Sequence, residues 1–158
     1  MGGLERGLYR LLNVGVGLLL RSTLHGLVSG RVMLLTMTGC RSGRSITVPV
    51  SYLRYEGNIL SFTSGGWSVW WKNLRGGAPV AARVRGRRVR GSARAETNGD
   101  AVVKALDAFL TEFPATAGRY GVGLDADGRP NPRDVEAAIG QGRAVMVVMV
   151  VIEAPGSP

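Results

Sequence analysis

"VMLLTMTGCRSGRSITVPVSYLR", Val32–Arg54, is the stretch on which the reading of the fold turns. Its flanks, Val32–Thr38 and Ser45–Arg54, are rich in β-branched and apolar residues, as buried strands are. Between them lie Gly39, Cys40, Arg41, Ser42, Gly43 and Arg44. Gly39 and Gly43 permit backbone angles that a bulkier residue resists. Such a turn lets backbone N–H groups converge on one point. Arg41 and Arg44 aim guanidinium groups at the same point, and Ser42 adds a hydroxyl. Together they make an anion nest, whose usual guest is phosphate. The spacing matches neither a P-loop nor a dinucleotide fingerprint. A solvated hairpin turn is the competing reading.

Outward from this stretch the strand pattern continues. "RYEGN" supplies a turn, and Ile59–Thr63 reads as the next strand. In "SGGWSVWWKNLRGG", Trp67, Trp70, Trp71 and Leu74 recur at three- and four-residue intervals, as on a short helix ending at Gly76 or Gly77. Val80–Arg85 and Val89–Ala95 flank Gly86-Arg87 as the arms of a tight hairpin. Each arm has one small or apolar face and one mostly cationic face. Thr97 and Asp100 fit a capping box, followed by the stripe Val102, Leu106, Phe109, Leu110 and Phe113, which Pro114 stops. Asn131 caps and Pro132 starts a second helix that ends near Gly140. Ala144–Ile152 is short enough for a buried strand rather than a membrane span. The sum is about six mainly antiparallel strands with flanking helices, an α+β layout around a closed or nearly closed sheet.

The 158 residues fit one domain, 1–158, with no repeat. Residues 1–29 read as an amphipathic helix that covers the core, and 153–158 as a loose tail. The uncharged run Leu11–Leu20 is ten residues, about half of what spans a bilayer. Lying on a membrane surface is the functional alternative for this helix. A signal peptide would need a small-residue cleavage site, and none follows cleanly. The chain is read as cytoplasmic, with membrane association as the variant.

Lys and Arg number 20 against 11 Asp and Glu, a net charge of +9, and all but Lys72 and Lys104 are arginine. Residues 1–95 carry 15 basic and 2 acidic side chains, net +13; residues 96–158 carry 5 and 9, net −4. The first part suits an anionic partner: nucleic acid, lipid headgroups or a phosphorylated cofactor. Codon bias and solubility are the plainer account. With Cys40 as its single cysteine and His25 as its single histidine, the chain lacks the makings of an internal disulfide or an ordinary zinc site. A hydrolase triad would have to use His25, far from any serine motif. Asp125–Gly128, "DADG", starts like a calcium loop but lacks the later ligands.

Two further clusters stand out. All three tryptophans lie within five residues, beside Lys72 and Asn73. They could wall a planar ligand or plug the open end of the sheet. Arg83, Arg85, Arg87, Arg88, Arg90 and Arg94 put six arginines in twelve residues. They could track a polyanion, or keep an exposed hairpin from aggregating.

The ordered set "LLTMTGCRSGRSITVPVSYLRYEGN", "SFTSGGW", "WWKNLRGG" and "AARVRGRRVRGSARA" resembles the deazaflavin-dependent nitroreductase family, within the flavin/deazaflavin oxidoreductases. The resemblance runs from Arg31 to Glu96 and is fainter at "RYGV" and the final strand. It implies a split β-barrel and coenzyme F420, a deazaflavin with a phosphodiester and a polyglutamate tail. FMN on the same fold is the related alternative. It implies hydride transfer from the reduced cofactor to a small electrophilic acceptor: a quinone, enone or nitro compound. By this resemblance Arg41, Ser42, Gly43 and Arg44 hold the phosphate and acidic tail. Thr47, Val48, Pro49 and Val50 run beside the ring, with Thr63 and Ser64 facing it. Trp70, Trp71, Lys72 and Asn73 match the family's Trp-aromatic-x-Asn helix. Ser64 and Tyr120 are the catalytic candidates, Tyr120 as proton donor or lid. Ile46 stands where the family often has a second basic residue, and the loop after Gly65-Gly66 is shorter. No metal and no nucleic acid are expected, and the chain is read as monomer or homodimer. The rival class is a non-catalytic basic protein that binds nucleic acid or anionic membrane.

Overall fold

The computed structural model describes residues 31–152. The amphipathic helix expected over 1–29 and the tail 153–158 lie outside the described residues. Seven strands form one antiparallel sheet: β1 Val32–Thr38, β2 Ser45–Ser51, β3 Leu53–Tyr55, β4 Asn58–Ser64, β5 Ala78–Val84, β6 Arg87–Glu96 and β7 Ala144–Val151. Two helices, α1 Asp100–Glu112 and α2 Pro132–Gly140, and two 3-10 segments, Trp70–Leu74 and Pro114–Tyr120, complete it. The α+β class and the curled, split sheet are as the sequence suggests. The strand count is seven because Ser45–Arg54 is not one strand. It breaks at Tyr52, a buried residue whose N–H donates to the Arg31 carbonyl at 3.0 Å.

That break shapes the molecule. The sheet order is β2-β1-β5-β6-β7-β4-β3, so the two edge strands are consecutive in the chain. Only Tyr52 separates them. The sheet must therefore curl until its ends meet, and the chain itself joins what hydrogen bonds do not. Inside the curl, Met33, Leu35 and Met37 face Val50, Val48 and Ile46 across the β1–β2 ladder. Val80, Ala82, Val84, Val145, Val147 and Met149 fill the rest. A second core lies between the helices and the other face of β4 and β7. There Leu106, Phe109 and Leu110 of α1 and Val135 and Ala138 of α2 meet Leu60, Phe62 and Met146. Each fully buried Leu or Phe of this kind stabilises the fold by roughly 1.5–3 kcal/mol.

Local details follow backbone chemistry. The β5–β6 hairpin turns on Arg85-Gly86, with φ of 50° and 76°, one residue earlier than the Gly86-Arg87 expected. Positive φ at both central residues is the type I′ pattern, which matches strand twist and wants glycine second. The same pattern recurs at Glu56-Gly57. Helix α1 does not use the expected Thr97–Asp100 box. Gly99, at φ 109°, is its N-cap and no side chain caps it. Asn131 caps α2 as expected, its side-chain oxygen accepting from the N–H groups of Arg133 and Asp134. No helix among the described residues is long and apolar enough to cross a membrane.

Candidate cofactor site

Beyond the short β3–β4 ladder, Leu53↔Leu60 to Tyr55↔Asn58, the edge of β4 at Ser61–Ser64 has no partner on that side. The outer edge of β2 has none either. These two edges approach one another without pairing and are joined through Tyr52 at one end. At the far end of β2 sits the Gly39–Arg44 turn; at the far end of β4 sit Ser64 and the Trp70–Leu74 segment. One hydrogen bond spans that open end. The Cys40 N–H donates to Asn73 Oδ1 at 2.9 Å, while Asn73 Nδ2 donates to the Trp70 carbonyl at 2.9 Å. Asn73 thus locks the arginine turn to the tryptophan segment.

The turn is internally braced. Gly39 N–H donates to Arg44 O at 2.8 Å, Gly43 N–H to Gly39 O at 2.9 Å, and Arg44 N–H to Ser42 Oγ at 3.2 Å. A Cβ at Gly39 would lie 2.6 Å from Ser42 Oγ, so a larger residue there would displace the Ser42 side chain from the Arg44 N–H. Fewer N–H groups remain for a ligand than an open nest would offer. What remains outward are the exposed side chains of Arg41, Ser42 and Arg44. Among the described residues the one ion pair is Arg94–Glu96, at 3.9 Å, so no described carboxylate pairs with Arg41 or Arg44. Exposed arginines on a braced turn fit the phosphodiester and acidic tail of F420.

The strand residues divide by face. Val48 and Val50 point into the barrel core, and their backbone groups pair with Leu35 and Met33 of β1. Thr47 and Pro49 point the other way, and Thr47 Oγ1 shares a hydrogen bond of 2.8 Å with Thr36 Oγ1. Thr63 and Ser64 were expected to face the ring together; as neighbours in one strand they point to opposite faces. Thr63 lies opposite Val145, on the barrel side, and Ser64 opposite Ala144, on the helix side. Ser64 Oγ accepts the Trp67 N–H at 3.3 Å and keeps its own proton to donate.

Trp70 and Trp71 are 8% and 6% exposed and belong to the barrel core. Their rings plug the end of the sheet rather than offer an open face. Trp71 Nε1 donates to Ser68 O at 2.9 Å, and the Arg75 guanidinium stacks 4.9 Å from its ring centroid. Lys72 lies 5.9 Å from the same ring and is exposed toward solvent. Tyr120 is 1% exposed and belongs to the second core, apart from the Gly39–Arg44 turn. A cavity of about 280 Å³ between Tyr55, Leu60, Lys104 and Val148 lies at the other end of β4, away from the turn.

Sequence reasoning missed two features of this region: the Cys40 backbone and Arg75 carry no motif of their own. Trp67 is read from its spacing as part of a short helix, but the helical segment begins only at Trp70, and Trp67 stands 77% exposed in the preceding turn. The glycine pair before it was the available signal, since Gly65-Gly66 cannot propagate a helix well.

Comparison with known proteins now bears on this geometry. Residues 8–123 match the model of the F420H(2)-dependent quinone reductase family. The solved structure of an F420-H2 dependent reductase, FDR-A, superposes with a TM-score of 0.51 at 15% identity, covering 75% of this chain and 93% of that one. A NimC/NimA family protein from Clostridium acetobutylicum gives 0.52 at 12% identity, covering 82% and 81%. A third structure, described as a domain-swapped dimer, gives 0.52 at 18% identity, covering 75% and 79%. At such identities these structures speak to the shared fold alone. No curated protein matches the sequence significantly. The family match covers most of the chain, and the protein belongs to the F420H(2)-dependent quinone reductase family: it is an F420-dependent reductase, with F420 as its cofactor.

Proposed function

We propose that the acceptor is a quinone, reduced beside the unpaired edges of β2 and β4, with Arg41 and Arg44 holding the anionic end of F420. The observation that carries this reading is the Cys40–Asn73 hydrogen bond, which ties the arginine turn to the Trp70–Leu74 segment at the end of β4. In this reading Arg41, Arg44 and the Ser42 hydroxyl bind the phosphodiester and tail, with Lys72 at the rim. The outward-facing backbone of Thr47 and Pro49 on β2 and of Ser64 on β4 offers polar groups to the edge of the ring, while Val48, Val50 and Thr63 act by position. Trp70 and Trp71 act by position, anchoring Lys72 and Asn73.

When bound, reduced F420 supplies a hydride, which together with one proton converts a quinone to a hydroquinone. The chain's part is to hold the acceptor against the ring, exclude water and stabilise negative charge on the acceptor oxygen. Ser64 is the donor best placed for the last task, through its hydroxyl. Tyr120 is given no role, because its phenol is enclosed by the second core. FMN lacks the long acidic tail and would leave Arg41 or Arg44 without an anion. A monomer and a homodimer both suit this arrangement, and sedimentation equilibrium distinguishes them.

The test is anaerobic oxidation of reduced F420 with 1,4-naphthoquinone, cyclohex-2-enone and a nitrofuran in parallel. The expected order places the naphthoquinone first in kcat/KM. Faster turnover of the enone or the nitrofuran would replace the acceptor while keeping the enzyme. Turnover with reduced FMN and none with reduced F420 would remove the reading altogether.

A further inference from the structure

We infer that the outer face of β5 and β6, together with the end of β7, is a docking surface for an anionic phospholipid membrane; this stands independently of the acceptor proposed above. Strand alternation and register put one set of side chains on that face. Arg83 of β5 lies opposite Arg88 of β6, and Arg90 and Arg94 recur on the same side of β6. On β7, Val150 lies opposite Ser92 and Val148 opposite Arg94. The Ile152 N–H donates to the Arg90 carbonyl at 2.9 Å, which sets Ile152 beside Arg90 in the same register. Cations and aliphatic side chains thus interleave on one side of the sheet, whose other side is the barrel core.

Both kinds of side chain are open. The four arginines are exposed, and Val150 and Ile152 are 52% and 61% exposed. The helices cover this side of the sheet as far as Met146, and Val148 is half-buried at their border. Among the described residues the carboxylate paired with this row is Glu96, 3.9 Å from Arg94. Arg83 and Arg88 face each other with no described carboxylate between them. Water tolerates that repulsion, and an anionic surface turns it into shared attraction. Charge alone would suit any polyanion; the aliphatic side chains select among them. Nucleic acid is held through its phosphates, read by polar side chains and stacked on aromatic rings. Between its arginines this face offers Ser92, Val150 and Ile152 and no aromatic ring. Against phosphates alone, the two aliphatic tips would gain nothing. Against a membrane both classes are used: guanidinium groups meet lipid phosphates, and the tips enter the headgroup layer. The face also stands apart from the cofactor turn. The Arg85-Gly86 tip lies toward the Val32 end of β1, and Gly39–Arg44 follows its other end, so the turn is outside the contact row.

The experiment is co-sedimentation of the full chain with vesicles, either of phosphatidylcholine alone or of equimolar phosphatidylcholine and phosphatidylglycerol. Wild type is expected to sediment with the mixed vesicles and to stay in solution with the neutral ones, and added salt weakens the binding. Arg88→Ala with Arg90→Ala lowers the partition coefficient about twenty-fold. Val150→Ser with Ile152→Ser lowers it about five-fold at unchanged charge. Arg41→Ala with Arg44→Ala, which removes the same charge elsewhere, lowers it less than about two-fold. All the altered side chains are exposed, and the melting temperature of each variant checks that it folds as wild type. Wild type that ignores mixed vesicles, or binds neutral ones as well, overturns the inference. So does undiminished binding of the Arg88 and Arg90 pair, which would place the contact elsewhere in the chain, or an equal loss in the Arg41 and Arg44 pair, which would make it an effect of net charge. Binding that the serine pair leaves intact and that duplex DNA competes away would make the face a nucleic-acid surface, and the inference would fall.

Discussion

Two arginine-bearing hairpins occupy this sheet, and they are built for different ends. The β1–β2 hairpin gathers Arg41 and Arg44 onto a six-residue turn that folds back on itself through Gly39, Ser42 and Gly43 and is tied to Asn73. The β5–β6 hairpin has more arginines and a plain two-residue turn. Its arginines alternate with core residues: Val80, Ala82 and Val84 point inward while Arg83, Arg88 and Arg90 are exposed. Arg83 even faces Arg88 directly across the ladder. Like charges so placed repel by a few tenths of a kcal/mol or more, which a flat solvated face tolerates. Cation count therefore does not separate the two hairpins. Bracing does: in the proposed reading, a turn whose backbone is spent on holding its own shape keeps Arg41 and Arg44 for an anion.

The comparison can be broken by substitution. Arg41→Ala with Arg44→Ala removes both converging cations, and F420 affinity is expected to fall about a hundredfold, taking the low end of charge-assisted hydrogen bonds for an exposed site. A fluorescence titration reads it, and the salt dependence of binding flattens with it. Gly39→Ala leaves every charge in place but drives a methyl against Ser42 Oγ and Ile46. F420 affinity should drop about tenfold, with a loss of about 1–2 kcal/mol in stability by urea denaturation. If binding survives while stability falls, the turn's shape is irrelevant to its guest. Asn73→Ala releases the turn from the Trp70–Leu74 segment, and about a five-fold weaker F420 complex is expected by the same titration. On the other hairpin, Gly86→Ala strains a positive φ and lowers the melting temperature, costing about 1 kcal/mol, with the F420 complex untouched. Last, Arg88→Ala with Arg90→Ala should change F420 affinity by less than about two-fold, since both lie on the outer face away from the turn.

Much of this was legible in the chain. Alternation in β5 and β6 predicts their two faces because side chains in a strand must alternate. The Asn-Pro start of α2 and the proline after α1 are local signals, and local signals survive folding. The anion turn was legible as a composition. What was hidden is tertiary. Nothing in Ser45–Arg54 announces that Tyr52 ends one strand and begins another at the opposite edge of the sheet, because the break depends on where β1 and β4 already lie. Nor does the order of residues say that Asn73 reaches the Cys40 backbone 33 positions away. Trp67 differs for a related reason: its spacing fits a short helix with Trp70 and Trp71, and the helical segment begins only at Trp70. Tyr120 was chosen by resemblance to a role, and packing against α1 and α2 decided its environment instead.

The measurement that bears most directly on the account is a paired titration with F420 and FMN, at low and moderate salt, of wild type and of the Arg41→Ala, Arg44→Ala double variant. The account predicts that wild type prefers F420 by about tenfold or more, that added salt narrows the gap, and that the double variant abolishes it. Equal affinity for FMN in wild type, or a preference for F420 that survives loss of both arginines, would contradict the claim that this turn reads the cofactor's acidic end.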